Sequence, residues 1–175
     1  MGKFQMRELL LIRHAIAEDR DMAKPGLKDE DRALTKSGCA KMAKITKGLK
    51  VTAPNIELIA SSPLLRAVQT AEIIHREYRE ARLITTDVLR PGLDLRNFIR
   101  WAQQLPDTGL IALVGHEPDL SFLICRLLTG NDQTFLHFKK GGASMVEVAD
   151  SIKSGEAQLK WFLNPGQLRR IGEER

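Results

Sequence analysis

The stretch Glu8-Leu9-Leu10-Leu11-Ile12-Arg13-His14 decides the fold of this chain. Its continuous apolar run predicts a short strand that is buried on both faces, as in the parallel sheets of α/β proteins. Two polar side chains, Arg13 and His14, follow the run at once. Because ligands of open α/β sheets bind beyond the carboxyl ends of the strands, these two residues are candidates for a functional site.

The same arrangement recurs twice farther along the chain. Ile56 to Ala60 predicts a second strand, after which come Ser62 and, in the first turn of a predicted helix, Arg66. Leu110 to Val114 predicts a third strand, and His116 follows it almost directly. The carboxyl ends of parallel strands lie at one edge of a sheet, so two histidines and two arginines are expected to meet there.

The remaining elements complete the predicted architecture. Periodic apolar residues predict helices from about Lys36 to Lys50 and from Asp94 to Gln104. Ala143 to Ala149 and Gln158 to Phe162 flank a turn-rich segment and predict an antiparallel hairpin at a sheet edge. The expected fold class is therefore α/β, with a three-layer α/β/α sandwich whose sheet is mostly parallel and has an antiparallel edge.

Length and composition predict one domain over residues 1–175, with a polar, flexible tail from about residue 165. No apolar run approaches the roughly 20 residues of a membrane helix, and the first residues lack a signal-peptide pattern, so a cytoplasmic location is expected without a membrane partner. Cys39 and Cys125 have no neighbours at metal-ligand spacing, and both are expected to be buried. We expect no metal and no other cofactor.

The net charge of +5 and the pI near 9.4 raise the question of nucleic-acid binding. Charges of both signs are spread along the chain and aromatic residues make up only 5%, which argues against that function. A row of lysines along the first predicted helix indicates a solvated face that would also attract acidic carrier proteins. These residues are Lys41, Lys44, Lys47 and Lys50.

Five short segments, in this order, resemble signatures of the histidine phosphatase superfamily, and within it the SixA-type phosphohistidine phosphatases. The resemblance covers most of the chain and implies a phosphoglycerate mutase-like fold. Ala15 stands where the superfamily usually has glycine, which narrows the permitted backbone but removes no reacting atom. The segments are Leu11-Ile12-Arg13-His14-Ala15, Leu34-Thr35-Lys36-Ser37-Gly38, Ser61 to Ala67, Val114 to Pro118 and Lys140 to Ala143.

The side chains of Arg13, His14, Arg66 and His116 suit phosphoryl transfer. Neutral His14 is the predicted nucleophile, forming a phosphohistidine intermediate that water then hydrolyses. Arg13, Arg66 and His116 are predicted to bind the phosphoryl oxygens, and the hydroxyl of Ser62 is a further candidate phosphate ligand. The two arginine charges are expected to lower the pKa of His14 below its ordinary value of about 6.5.

A general acid is harder to identify from the sequence. Glu117 is the candidate because it adjoins the second histidine, while Glu18, Asp19 and Asp94 are alternatives that also fit an ordinary cap or surface charge. An imidazole leaving group depends far less on such an acid than an alkoxide does. The site therefore suits a phosphohistidine substrate.

Other polar residues are expected to be structural. Thr35 predicts a helix N-cap and Gly38 a close packing contact, and neither is assigned to the site. His75 and His137 lie outside any matching segment and are expected to be structural or solvated.

The resemblance implies a phosphohistidine phosphatase that acts on phosphorelay or phosphocarrier proteins. The segment from Arg66 to His116 leaves little room for an enclosing lid, so an open cleft that admits a protein substrate is expected. Two alternatives are a general small-molecule phosphomonoesterase and a non-catalytic phosphoprotein-binding module.

Overall fold

The computed structural model describes residues 6–19, 26–105 and 109–174. A 3₁₀ turn at Asp29–Asp31 precedes the first helix, and another at Asp87–Leu89 follows the third strand. The strands are β1 (Met6–Arg13), β2 (Ile56–Ser61), β3 (Arg82–Thr85), β4 (Leu110–Gly115), β5 (Ala143–Ala149) and β6 (Gln158–Leu163). The helices are α1 (Lys36–Thr52), α2 (Leu65–His75), α3 (Leu95–Gln103), α4 (Asp119–Thr129) and α5 (Pro165–Glu173).

The six strands form one sheet in the order β3-β2-β4-β1-β5-β6. Strand β1 lies near its centre, parallel to β4 with Arg13 opposite Gly115, and antiparallel to β5 with Ile12 opposite Ala143. Strands β2, β3 and β4 are also parallel, whereas β5 and β6 form the antiparallel hairpin. The predicted α/β fold, with a mostly parallel sheet and an antiparallel edge, is confirmed.

Alternate residues of β1 supply two cores, one on each face of the sheet, because successive side chains of a strand point to opposite faces. Leu10 and Ile12 pack in the core that also contains buried residues of α1, α2 and α5. Leu9 and Leu11 pack in the core with buried residues of α3 and α4. Helices therefore cover both faces, as the apolar run predicted.

The prediction of a flexible tail from about residue 165 is wrong for the described residues, because this segment forms helix α5. Leu168 is its fully buried residue and packs in the core on the α1 side of the sheet. A Cβ added at Gly48 of α1 would lie only 1.9 Å from the carbonyl oxygen of Leu168, so glycine permits the close approach of the two helices. The polar composition of the segment concealed this contact, because a single apolar residue anchors the helix.

No helix in the described part of the chain is long and apolar enough to cross a membrane. Cys125 is buried as expected, whereas Cys39 is only half-buried and packs at the margin of one core.

Candidate active site

His14 and His116 meet because they follow neighbouring parallel strands, β1 and β4. The backbone N–H of His14 donates to the carbonyl oxygen of Gly115 at 3.0 Å, which extends the ladder by one residue. The two imidazole rings lie with their centroids 5.2 Å apart, and both residues are buried. The predicted juxtaposition of the two histidines at the carboxyl edge of the sheet is therefore present.

The hydrogen bond of His14 determines which ring nitrogen is available for reaction. Nδ1 of His14 lies 2.7 Å from the carbonyl oxygen of Ala15, and a carbonyl oxygen only accepts, so Nδ1 carries the proton. The pKa of His14 is lowered to about 3, chiefly by burial and then by the charges of His116, Arg66 and Arg13, against the hydrogen bond to Ala15. The neutral ring thus has its lone pair on Nε2. Burial, rather than the arginines alone, keeps this residue neutral.

His14 is followed by a tightly held loop. The backbone N–H of Ala15 donates to Oγ1 of Thr70 at 3.0 Å, and the carbonyl oxygen of Ile16 accepts from the N–H of Thr35 at 3.0 Å. Among the described residues every positive φ belongs to a glycine, so Ala15 is accommodated without backbone strain. Thr35 caps α1, and a Cβ at Gly38 would lie 2.0 Å from the oxygen of Ile16, which confirms the predicted cap and close contact.

Arg66 lies in the first turn of α2, where a network of charges fixes its guanidinium. Its Nη1 donates to the carbonyl oxygen of Asp29 at 2.8 Å, and its Nη2 lies 3.1 Å from Oδ2 of the same residue. The other carboxylate oxygen, Oδ1, accepts from Nε of Arg32 at 2.9 Å. Asp29 thus positions a predicted phosphate ligand, and it was not among the predicted site residues. The spacing of Asp29 and Arg32 was a signal for an ion pair, but nothing local pointed to Arg66.

Arg13 is held from the opposite side. Its Nη1 donates to the carbonyl oxygen of Phe138 at 2.6 Å. The turn that follows Phe138 is tied to the same strand, because the N–H of Gly141 lies 3.1 Å from the oxygen of Arg13 and 3.2 Å from that of His14. Gly141 has φ +79°, a conformation that favours glycine. The loop before β5 therefore orients both residues of the Arg13-His14 pair.

Ser62 contacts His116 directly. Nε2 of His116 lies 2.8 Å from Oγ of Ser62, and the same oxygen accepts from the N–H of Leu64 at 3.4 Å. Burial, followed by the charge of Arg66, lowers the pKa of His116 to about 4, so the ring is neutral near pH 7. We infer that the Ser62 hydroxyl donates to Nε2, because a neutral His116 then carries its proton on Nδ1 and can donate it to an anion. Ser62 acts through His116 in this arrangement.

Replacement of Ser62 by alanine is expected to release the tautomer of His116 and to lower kcat about tenfold. Nitrogen-15 NMR should show protonation at Nδ1 of His116 in the native protein and a mixture of tautomers in Ser62→Ala. Ser61→Ala is the matched control, because Ser61 is also buried but its hydroxyl donates to the backbone oxygen of Ser62. An unchanged His116 tautomer in Ser62→Ala would contradict this role.

Glu117, the predicted general acid, is engaged in structural hydrogen bonds. Its Oε1 accepts from Oγ of Ser121 and from the N–H of Phe138, both at 2.6 Å, and its Oε2 accepts from the N–H of Ser121 at 3.2 Å. The side chain is 6% exposed, and His137 lies at 3.5 Å from Oε1. These contacts join α4 to the loop that binds Arg13. Among the alternatives, Asp94 caps α3 through the N–H of Asn97, and Glu18 and Asp19 are exposed.

The buried histidines are expected to make the protein less stable as the pH falls below 6.5. The pKa values of His14 and His116 in the folded protein, about 3 and about 4, lie below the ordinary value of 6.5, so the unfolded chain takes up these protons first. The stability is present above pH 6.5 and is lost as the pH falls towards 3. Each histidine should cost on the order of 2 kcal/mol at pH 5.

Urea unfolding at pH 7 and at pH 5 measures this effect. The decrease in unfolding free energy should be smaller in His14→Gln than in the native protein, because the variant lacks one of the two groups. The titrating carboxylates are common to both proteins and cancel in the comparison. Equal decreases in the two proteins would count against neutral, buried His14.

Comparisons with known proteins agree with this geometry. A family model of the histidine phosphatase superfamily, branch 1, matches residues 9–91. An uncharacterized protein of Picosynechococcus sp. is 34% identical over 157 residues, which cover 87% of this chain and 88% of that protein. The chain thus has a relative that matches most of its length.

Solved structures share the fold. The structure of the protein histidine phosphatase SixA complexed with tungstate superimposes with a TM-score of 0.75 at 24% identity, over 92% of this chain and 99% of that chain. A phosphoglycerate mutase from Plasmodium falciparum gives a TM-score of 0.63 at 20% identity, over 90% of each chain. The predicted phosphoglycerate mutase-like fold is confirmed.

The residues matched by the family model include Arg13, His14 and Arg66. The structure brings these three side chains together with His116. The chain therefore belongs to the histidine phosphatase superfamily, branch 1, and its predicted assignment to the phosphatases is confirmed at the level of that family.

Proposed function

We propose that this protein is a phosphohistidine protein phosphatase, with His14 as the nucleophile. The observation that carries the proposal is the neutral imidazole of His14, whose Nε2 lone pair is kept free by the hydrogen bond from Nδ1 to Ala15. The half-buried Arg13, the buried Arg66 and a second buried histidine, His116, lie close enough to lower its pKa further. A basic nitrogen beside fixed cations suits attack on a phosphoryl group.

Two buried N–H groups support an anionic substrate. Nε of Arg13 and, in the inferred tautomer, Nδ1 of His116 have no hydrogen-bond partner among the described residues. Buried donors in proteins are almost always paired, and phosphoryl oxygens would accept from both. The SixA structure that shares the fold was solved with tungstate, which is also a tetrahedral oxyanion.

The proposed reaction has two steps. Nε2 of His14 attacks phosphorus and a new N–P bond forms, while the N–P bond of the substrate breaks. The electron pair of the broken bond stays on the substrate nitrogen, and the imidazole leaves as a neutral ring with a proton on its other nitrogen. Water then attacks the phosphohistidine, which releases inorganic phosphate, and Nε2 of His14 regains its lone pair. The protein's contribution is positioning and charge stabilisation by Arg13, Arg66 and His116. No resident metal or other cofactor is part of the proposal.

Phosphohistidine is favoured over phosphate esters by the contacts of Glu117. Its carboxylate oxygens accept three hydrogen bonds from Ser121 and Phe138, so both oxygens are engaged within the fold rather than offered to a leaving group. An alkoxide leaving group needs such a donor, whereas imidazole has an ordinary pKa of about 6.5 and leaves without one. A general small-molecule phosphomonoesterase is the second candidate, because a phosphoglycerate mutase, named for a small-molecule substrate, is among the solved structures that share the fold.

Replacement of Glu117 by glutamine separates these roles. A structural carboxylate predicts a loss of about 1–3 kcal/mol in unfolding free energy, because an amide NH₂ cannot accept the bond from Ser121. Turnover of phosphohistidine should stay within about threefold of native, with the same pH profile. If Glu117 were a general acid, turnover of an alkyl phosphate, whose alkoxide leaving group needs a proton, would instead fall about a hundredfold or more. Glu18→Gln, at an exposed position, is the control.

The proposed substrates are proteins of phosphorelays or phosphocarrier chains. Between Arg66 and His116 the described residues form α2, β3, a 3₁₀ turn, α3 and β4, and these elements belong to the sheet and its covering layers. A segment made of these elements supports a site that admits a phosphohistidine displayed on another protein.

Turnover of a histidine-phosphorylated phosphotransfer protein, measured beside that of p-nitrophenyl phosphate, tests the proposed function. A strong preference for the phosphoprotein is the expected result. A preference for the aryl ester would favour the phosphomonoesterase instead. Tight binding of the phosphoprotein without turnover of either substrate would indicate a non-catalytic binding module.

A further inference from the structure

A cavity opens beside the loop that follows His14. It has a volume of about 210 Å³ and lies between the loop after His14, the first turns of α1, the turn before β5 and the start of α5. We call it the basic pocket. It is lined by Ala15, Ile16, Gly38, Lys41, Met42, Ile45, Lys140, Pro165 and Arg169.

The basic pocket lies at the same edge of the sheet as the catalytic histidines. Ala15, which lines it, follows His14 directly, and Lys140 precedes Gly141, whose N–H is bonded to the oxygens of Arg13 and His14. Strand β6 ends at this edge, because Leu163 is paired with Ala143, and α5 begins two residues later. A protein bound over His14 would therefore also cover the pocket.

Three cations converge on the pocket from three separate parts of the chain. Lys41 comes from α1, Lys140 from the turn before β5, and Arg169 from α5. No acidic residue lines the pocket, and within residues 6–19, 26–105 and 109–174 none of the three forms an ion pair. Because the three positive charges around one pocket repel one another, an anion placed among them would be stabilised.

The floor of the pocket is apolar. Met42 and Ile45 are buried residues of α1, and Pro165 begins α5. Of the row of lysines on α1, only Lys41 reaches the pocket, while Lys44 and Lys47 are exposed elsewhere and Lys50 lies over the ring of Tyr78. An apolar floor with a cationic rim is suited to a carboxylate that is carried on an aliphatic stem, as in a protein side chain.

We propose that the basic pocket binds an acidic side chain of the phosphoprotein substrate, next to the phosphohistidine that His14 attacks. The inference rests on the proposed function and adds a substrate-selecting site to it. Proteins with Asp or Glu beside the phosphohistidine are bound more tightly, and the phosphoryl group itself stays with Arg13, Arg66 and His116. Such charge contacts chiefly determine specificity and the rate of association.

The test compares two triple variants with the same loss of charge. The pocket variant carries Lys41→Gln, Lys140→Gln and Arg169→Gln. The control variant carries Lys44→Gln and Lys47→Gln in α1 and Arg170→Gln in α5, the two helices that also carry Lys41 and Arg169. KM for a histidine-phosphorylated phosphotransfer protein is measured at low and high salt. The pocket variant should raise KM about tenfold at low salt without changing kcat, and the control should change KM by less than about threefold.

Two further arms identify what the pocket binds. Changing the acidic residues beside the phosphohistidine to amides should raise KM for the native enzyme and not for the pocket variant. Turnover of p-nitrophenyl phosphate and inhibition by inorganic phosphate should be the same in all three proteins. Equal KM values in the native protein and pocket variant, or equal increases in both triple variants, would overturn the proposal, as would weaker inhibition by phosphate in the pocket variant alone.

The failure of this proposal is distinguishable from failure of the proposed function. If the native enzyme dephosphorylates the protein and the pocket variant is unaffected, only the pocket assignment is wrong. If the native enzyme neither binds nor dephosphorylates the phosphoprotein, both are wrong.

Discussion

Replacement of His14 by alanine is expected to lower turnover of a phosphohistidine protein by a factor of about 10⁴ or more, because no other group supplies the attacking nitrogen. Rapid acid-free quenching of the native enzyme with radiolabelled substrate should trap an alkali-stable, acid-labile phosphoenzyme, and the variant should give none. The fold should persist, since alanine at a buried position removes a ring but leaves the backbone bond from His14 to Gly115.

His75→Ala is the matched control for this experiment. Like His14, His75 has a ring nitrogen in contact with a backbone carbonyl oxygen, here Nε2 with the oxygen of Ala81 at 3.0 Å. His75 is the last residue of α2, however, and does not follow a strand as His14 and His116 do. Its replacement should leave turnover and phosphoenzyme unchanged. A phosphoenzyme that persists in His14→Ala, or is lost in His75→Ala, would place the nucleophile elsewhere.

The second large effect is expected at Arg66. Arg66→Lys should lower kcat/KM by a factor of about 10³, because an ammonium group cannot form the paired N–H contacts of a planar guanidinium with a phosphoryl group. Arg66 is buried and Asp29 orients it through both terminal nitrogens, so a lysine would also lose that orientation. Steady-state kinetics with the phosphoprotein measures the effect.

Asp29→Asn separates the phosphate contact from the stability of the 3₁₀ turn. If Arg66→Lys acts by loosening Asp29–Asp31, the asparagine variant should lose as much activity as the lysine variant. If Arg66 binds the phosphoryl group, Asp29→Asn should cost no more than about tenfold, because the backbone oxygen of residue 29 still accepts from Nη1. Activity of Arg66→Lys above a tenth of native would contradict the role of Arg66.

The positions of the predicted nucleophile, His14, and of the predicted phosphoryl ligands Arg13, Arg66 and His116 could be read from local patterns. The apolar runs before Arg13 and His116 predicted two strands, β1 and β4. The ends of both runs meet because these strands are adjacent and parallel. Arg66 followed from the helix start after Ser62-Pro63. These inferences needed only periodicity and chain direction, which are local properties.

Other features depend on partners that are distant in the sequence. Asp29 contacts Arg66 across 37 residues, and Glu117 contacts the N–H of Phe138 across 21. The candidate acid was therefore chosen by adjacency to His116, whereas the fold directs its carboxylate to Ser121 and the loop before β5. Helix α5 was missed for the same reason, because its buried anchor, Leu168, packs against a surface that lies on α1.

The sequence by itself determined the α/β class, the strands that are followed by candidate site residues, and the family. Each of these depends on short runs of neighbouring residues. Only the tertiary structure decided which ring nitrogen of His14 carries the proton, the partner of Ser62, the contacts of Glu117 and the convergence of Lys41, Lys140 and Arg169. Those properties arise from burial and from contacts between distant segments, which desolvate a group or bring charges together only after the chain has folded.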